Sequence, residues 1–237
     1  MSANPERTPS RLVEPVETSP PNRLVEPVET SPANRLVEPV ETSPASLRRG
    51  EDGLPRCAWV GRDPEYARYH DEEWGRPLHG DRPLYEKLCL EGFQAGLSWI
   101  TILRRRPGFR EAFSGFEPAA VAALGPGDVE RLMQDPRIIR NRAKIEATIG
   151  NARALLALVE RDGDGALDRL VWSFAPDAPR SRPRSLADIL AVTPESTALS
   201  KALKREGFRF VGATTMHALM QSAGLVDDHL EGCWRAA

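Results

Sequence analysis

The chain has 237 residues and a formal net charge of -2, long enough to bury a hydrophobic core in one ordinary domain or two small ones. The charge balance excludes a purely electrostatic nucleic-acid binder, although a DNA enzyme can hold a few phosphates with local basic groups and backbone N–H groups. Three cysteines, an odd number, together with no signal peptide and no long apolar run, point to a reducing cytoplasmic location without membrane spans rather than a disulfide scaffold.

The first fifty residues are rich in Pro, Glu, Ser and Thr and contain no aromatic side chain. Arg-Leu-Val-Glu-Pro-Val-Glu-Thr-Ser-Pro occurs there three times, starting at Arg11, Arg23 and Arg35. Two prolines per copy and few apolar groups cannot offset chain entropy, so residues 1–53 read as a disordered tail and 54–237 as the folded domain, beginning near Leu54. Beyond it, helices follow one another between Pro and Gly. Asp63-Pro64 opens a helix through Tyr66, Tyr69 and His70. Asp81 opens a second, carrying Leu84, Leu88 and Glu91. Ser98 caps Trp99–Leu103. A long helix spans about Asn141–Glu160 with Ile145, Ile149, Ala152, Leu155, Leu156 and Val159 on its apolar side. Further helices are expected at Leu167–Phe174, Ser196–Glu206 and Ala213–Ala223. With no alternating strand pattern, the class is all-α.

Cys57 and His70 lie near the start of this domain and His229 and Cys233 at its end. The last two are four apart, so one helical turn puts them on the same face. Two thiolates and two imidazoles suit a closed tetrahedral structural zinc; the alternative is four unrelated buried side chains, since the spacing is not that of a local finger. Cys89 reads as core, and His79 and His217 have no matching partner.

Aromatic residues crowd around residues 59–74, and a carboxylate, small residues and a Trp follow within Leu90–Trp99. Four motifs, Tyr-His-Asp-x-Glu-Trp-Gly, Leu-Glu-Gly-x-Gln-Ala-Gly-Leu-Ser-Trp, Ile-Ile-Arg-Asn-Arg-x-Lys-Ile and Gly-Leu-Val-x-Asp-His, closely resemble those of the type I DNA-3-methyladenine glycosylases, zinc-containing relatives of the helix-hairpin-helix glycosylases. The resemblance covers residues 56–234. It implies an all-α glycosylase domain stapled by one structural Zn2+ on Cys57, His70, His229 and Cys233. It also implies a pocket for the flipped base formed by Trp59, Tyr66, Tyr69 and Trp99, with Glu91 as the catalytic carboxylate. The chemistry is coherent: N3-alkylation makes the adenine cationic, aromatic faces attract cations, and a buried carboxylate favours them.

Asp135–Ile145 resembles the hairpin and helix that hold DNA phosphate, with Arg137 where relatives commonly have Gly. Arg140 and Lys144 are assigned to phosphate, against the alternative of solvated surface charges. Leu97 is assigned as a wedge that fills the gap left by the flipped nucleotide, against burial under the Trp99 helix. Ser200–Lys204 and Gly207–Gly212 also match the family, for DNA contacts or for packing. The implied activity is monofunctional hydrolysis of the glycosidic bond of 3-methyladenine in double-stranded alkylated DNA, by a monomer with water as nucleophile. A non-catalytic binder of alkylated DNA is the alternative, and a zinc hydrolase is disfavoured because four protein ligands leave no open position.

Overall fold

The computed structural model describes residues 47–178 and 180–236; the three repeats lie outside the described residues. The all-helical expectation needs one correction at the outset. Leu47–Arg49 (β1) pairs antiparallel with Pro55–Cys57 (β2), with Leu47 opposite Cys57 and Arg49 opposite Pro55. This pairing begins ahead of the expected boundary at Leu54. Two three-residue strands are too short to carry an alternating pattern, which is why the sequence conceals them. Their turn closes through Gly53 N–H to the Gly50 carbonyl at 3.0 Å.

Helix α1 (Pro64–Glu72) starts as expected: the Asp63 carboxylate accepts from the N–H groups of Glu65 and Tyr66 at 3.0 Å, and Pro64 occupies the first turn. Helix α2 runs Asp81–Gln94, and Asp81 is inside it rather than its cap. Its carboxylate instead accepts from the N–H groups of Gly165 and Asp168, both at 2.9 Å, at the start of α7. Asp168 reciprocates by accepting from Gly80 N–H at 2.9 Å and from His79 Nδ1 at 3.0 Å. His79 also stacks on Trp172 at 4.4 Å and, as expected, has no place in a Cys/His cluster among the described residues.

Helix α3 (Trp99–Ala112) continues through Pro107 past the expected end at Leu103. The Ser98 hydroxyl meets the Thr101 hydroxyl at 2.8 Å and caps no backbone group. Two unforeseen short helices follow, α4 (Pro118–Ala122) and α5 (Pro126–Met133), each opened by proline. Helix α6 (Arg142–Asp162) begins where Asn141 accepts from Lys144 N–H at 3.1 Å and ends at Gly163. Helices α7 (Ala166–Trp172), α8 (Pro194–Arg205) and α9 (Ala213–Ser222) complete the domain. No helix of the described residues is long and apolar enough to cross a membrane.

Helix α2 is the hub, packing against α3, α6, α7 and α9. Its residues Leu84, Leu88, Cys89 and Phe93 are buried with Ile145, Ile149, Ala152 and Leu155 of α6, the non-directional burial that drives collapse. Leu156, expected on the same face, is exposed, and Leu158 is buried in its stead. Phe93, Phe109, Phe113 and Phe116 stack in series with centroids 4.6–6.4 Å apart. The buried Tyr85 hydroxyl donates to the Thr148 carbonyl at 2.8 Å, so the core carries no loss there.

The end of α9 is locked to the loop after α1. Leu78 N–H donates to the Ala223 carbonyl at 3.0 Å, and Gly224 has φ +77°, with a Cβ there falling 2.5 Å from the Arg76 carbonyl carbon. Both the dihedral and the space require glycine. Gly224→Ala is expected to cost about 3 kcal/mol or more, read as a fall in melting temperature of roughly 6–12 °C. An unchanged transition would mean that the loop yields without cost.

Candidate functional site

Two buried groups of side chains converge beside α1. The first unites the ends of the described chain. Cys57 closes β2, His70 lies on α1, and His229 and Cys233 belong to the segment after α9. All four are buried, and their ligand atoms lie within 4.8 Å of one another. His229 and Cys233 do not share a helix as expected; they flank a turn closed by Cys233 N–H to the Leu230 carbonyl at 2.9 Å. The separations are 3.4 Å from Cys233 Sγ to His70 Nε2, 3.8 Å from Cys233 Sγ to His229 Nδ1 and 3.8 Å from Cys57 Sγ to His229 Nδ1. A tetrahedral ion with sulfur and nitrogen ligands at ordinary bond lengths needs edges of about 3.3–3.8 Å. The set can therefore hold a metal ion.

The surroundings match. Asp71 takes the proton side of His70, with Oδ1 at 2.7 Å from Nδ1, which turns Nε2 to the cluster. Leu230 N–H points at Cys57 Sγ at 3.3 Å, a donor suited to a thiolate. Hydrogen bonding from Cys57 draws Cys233 toward the thiolate, and that bond together with burial pushes the Cys57 thiol up.

The second group lines a cavity of about 210 Å³ that includes Trp59, Tyr66, Tyr69, Glu91 and Trp99, smaller than the roughly 300–1,000 Å³ of drug-sized sites. All five residues expected from the sequence come together. Ring centroids are 5.0 Å apart for Trp59 and Tyr66, 6.4 Å for Tyr66 and Tyr69, and 5.5 Å for Tyr69 and Trp99. Glu91 is 3% exposed, and its Oε1 accepts from the Ser222 hydroxyl at 2.8 Å. Burial pushes its carboxyl up to about 7, against the opposing pull of Lys87 and Ser222.

Sequence reasoning missed five participants. Lys87, one turn before Glu91 on α2, is buried behind the cage; its Nζ donates to the Tyr69 hydroxyl at 3.2 Å and lies 5.0 and 5.1 Å from the Tyr69 and Trp99 ring centroids. Its spacing of four from Glu91 was the available signal. Glu73 and Arg106 form a half-buried ion pair next to it, with Nη2 to Oε1 at 2.8 Å. Ser222 had no signal at all, since 131 residues separate it from Glu91. Trp74 joins the two groups: it lines the cavity, packs on Trp59 at 5.1 Å and meets the His229 ring edge-on at 4.6 Å.

The three assignments to DNA fare differently. Leu97 is 42% exposed, following Gly96 at φ +83°, and it does not line the cavity, so burial under α3 is not its state. Arg140 is exposed and has no ion-pair partner among the described residues. Lys144 is corrected: it is buried, and its Nζ donates to the carbonyls of Phe93 at 2.9 Å and Ala95 at 2.7 Å. It satisfies the orphan carbonyls at the end of α2 and has no reach to a phosphate. Arg137 is held by Asp135 and Glu111, and its backbone is not among the positive-φ residues, so the turn between α5 and α6 does not need glycine. His217, outside the cluster as expected, is buried with Nε2 3.4 Å from Asp228 Oδ2 but without hydrogen-bond geometry.

The arrangement, an aromatic cage closed by a carboxylate, can take a flat cationic ring. Comparison with known proteins points the same way. Residues 59–236 match the family model described as methyladenine glycosylase. The chain is 51% identical over 181 residues to DNA-3-methyladenine glycosylase 1 of Escherichia coli (strain K12), covering 76% of this chain and 96% of that protein. It is 49% identical to the DNA-3-methyladenine glycosylase of Haemophilus influenzae (strain ATCC 51907 / DSM 11121 / KW20 / Rd), covering 75% and 96%. A crystal structure of a 3-methyladenine DNA glycosylase I variant in complex with 3-methyladenine superposes with a TM-score of 0.71 at 37% identity, covering 77% of this chain and 97% of that one. With the fold, the cage and these likenesses in agreement, the chain belongs to the methyladenine glycosylase family.

Proposed function

We propose that this protein excises 3-methyladenine from alkylated DNA by hydrolysing its N-glycosidic bond. The observation that carries the reading is Glu91, a buried carboxylate at the closed end of an aromatic cage with room for one base. Alkylation at N3 leaves the adenine cationic. The cage faces attract that charge, and Glu91 accepts hydrogen bonds from the base edge while supplying the opposite charge. The glycosidic bond then breaks with its electron pair leaving on the base, which departs neutral. Water adds hydroxide to the sugar carbon and gives up a proton, so the product is an abasic site. Lys87 does not line the cavity and is engaged with Tyr69, and Lys144 is engaged with backbone. Neither is placed for Schiff-base chemistry, which supports a monofunctional reaction.

Glu91 gives a signed prediction. Its pKa in the fold, about 7, lies above the ordinary glutamate value of 4.5, so between those values the folded state holds the extra proton and stability falls as pH rises, with the full cost present above about 7. Glu91→Gln removes the charge. It is expected to raise stability at pH 8 by of order 1–3 kcal/mol, with the gain fading toward pH 4.5. Release of 3-methyladenine from methylated duplex, measured by chromatography, should fall roughly 10²–10³-fold. Wild-type-like release by this variant would remove Glu91 from the chemistry; absence of free base from the wild type would favour a non-catalytic binder.

For the metal cluster we infer structural zinc, held by Cys57, His70, His229 and Cys233. Four protein ligands close the tetrahedron, so the ion would fix both ends of the domain and activate no water. Cys233→Ser is expected to lower bound zinc well below one ion per chain, by elemental analysis, and to lower the melting temperature with it. Full zinc at wild-type stability in that variant would exclude Cys233 as a ligand.

Leu97 supports the assignment of a wedge that occupies the space of the extruded nucleotide, with Arg140 on phosphate. Because the side chain is exposed, Leu97→Ala should slow excision from duplex about tenfold, the scale of a partly offset unstacking cost, while the melting temperature stays within a degree or two. A sharp thermal loss, or wild-type excision, would contradict the role.

A further inference from the structure

Lys87 is a buried cation that neither lines the base cavity nor pairs closely with an acid. It lies on α2 one turn before Glu91 and is 9% exposed, and its Nζ makes a single hydrogen bond among the described residues, to the Tyr69 hydroxyl at 3.2 Å. The acids around it are engaged elsewhere: Glu73 with Arg106, Glu86 with Arg110, and Glu91 with Ser222. Burial draws the ammonium down, while Glu91 and Glu73 pull it up only through space. A buried charge without a close counter-ion is costly. An unbranched apolar side chain would fill the same space without that cost. Packing therefore does not account for the amine.

The chemistry of the contact does. An ammonium has three donors and no acceptor, so the Tyr69 oxygen must accept from Lys87. The phenol proton is then left for another partner, and the Tyr69 hydroxyl makes no other hydrogen bond among the described residues. Tyr69 lines the base cavity, and Nζ lies 5.0 Å from its ring centroid and 5.1 Å from that of Trp99, behind the cage. Lys87 thus leaves Tyr69 as a donor for the cavity it lines, and a hydroxyl that accepts from a cation is a stronger donor in turn.

The bearing on the reaction follows from where the electrons go. In the intact nucleotide the alkylated base is cationic, and its ring nitrogens are poor acceptors. As the glycosidic bond breaks, its electron pair passes to the base, and the same nitrogens become good ones. A donor held ready for them is worth more in the transition state than in the bound substrate, which is the condition for raising kcat rather than tightening binding. We propose that Lys87 is a positioning residue for departure of the base: it fixes Tyr69 as a hydrogen-bond donor to a ring nitrogen of the leaving 3-methyladenine, and Tyr69 keeps its proton throughout. This deepens the functional reading above and rests on it.

The test compares the wild-type chain with Lys87→Met, which keeps the aliphatic stem and removes the amine. Single-turnover excision from methylated duplex should slow roughly five- to tenfold, the difference between a charge-assisted and a neutral hydrogen bond. Half-saturation by the duplex should stay unchanged, because the bound substrate gains little from the hydroxyl. Binding of free, neutral 3-methyladenine should weaken by a similar factor. The melting temperature should hold or rise, since an unpaired buried charge is gone, and Lys87→Gln should show the same split. Tyr69→Phe should slow excision, and adding Lys87→Met to it should cost less than a further twofold, because the lysine acts through the hydroxyl. Excision within twofold of wild type in Lys87→Met would overturn the proposal, as would a sharp thermal loss in both Lys87 variants. Losses that multiply in the double variant would overturn it too, by placing the effect of the lysine on Glu91. Wild-type protein that releases no 3-methyladenine would overturn the functional reading instead. The dependence of free-base binding on Lys87 is read without turnover, so the two failures are distinct.

Discussion

The constraint on which the pocket depends is the gathering of Cys57, His70, His229 and Cys233 into one buried cluster. A buried polar group without a partner costs about 1–3 kcal/mol, and here two thiols and two imidazoles leave solvent together, with His229 Nε2 finding no hydrogen-bond partner. Such a set is stable where a common centre satisfies it. Its position has a consequence for the cage. The His70 ring meets Trp59 edge-on at 5.3 Å and stacks with Trp74 at 6.2 Å, and Trp74 meets His229. The imidazoles that face the cluster are thus the backing of the aromatic wall. Loosening of the last residues of the chain would reach the pocket through two tryptophans.

Beneath that wall the charges alternate in sign: Glu91 and Lys87 on α2, Glu73 after α1, Arg106 on α3. Burying any one alone would be prohibitive, and the ion pairing of Glu73 with Arg106 covers only half the set. Glu91 is left with a neutral hydroxyl donor and a lysine that itself is drawn down by burial. This carboxylate is the least well compensated charge in the site.

The surface follows a comparable economy. With a net charge of -2, and with most arginines engaged by neighbouring acids, little general attraction for DNA remains. Arg140 and Arg209 are exposed and have no acidic partner among the described residues. Leu97 and Phe210, exposed apolar groups, project from turns whose backbones are fixed, one after a glycine and the other at positive φ.

Much of this was legible in the sequence. Period-3.6 patterning and proline or Asp/Asn starts placed α1, α2, α6 and α9 to within a few residues, because local capping and one-sided burial are written along the chain. The scarcity of thiols and imidazoles singled out the four cluster residues, with unrelated burial as the alternative, and the family's motifs, rather than residue type, supplied the cage. What only the tertiary structure decided are matters of distance between remote segments. Lys144 reads as a phosphate ligand until the carbonyls of Phe93 and Ala95 arrive beside it. Asp81 reads as the start of its own helix, yet it caps another 84 residues away. Ser222 acquires meaning only when α9 lies across α2. The short strand pair at Leu47–Arg49 has too few residues to carry a period. Local preference acts through neighbours in the chain, whereas the partner of a buried polar group is chosen by packing, and packing is settled only when the whole domain has closed.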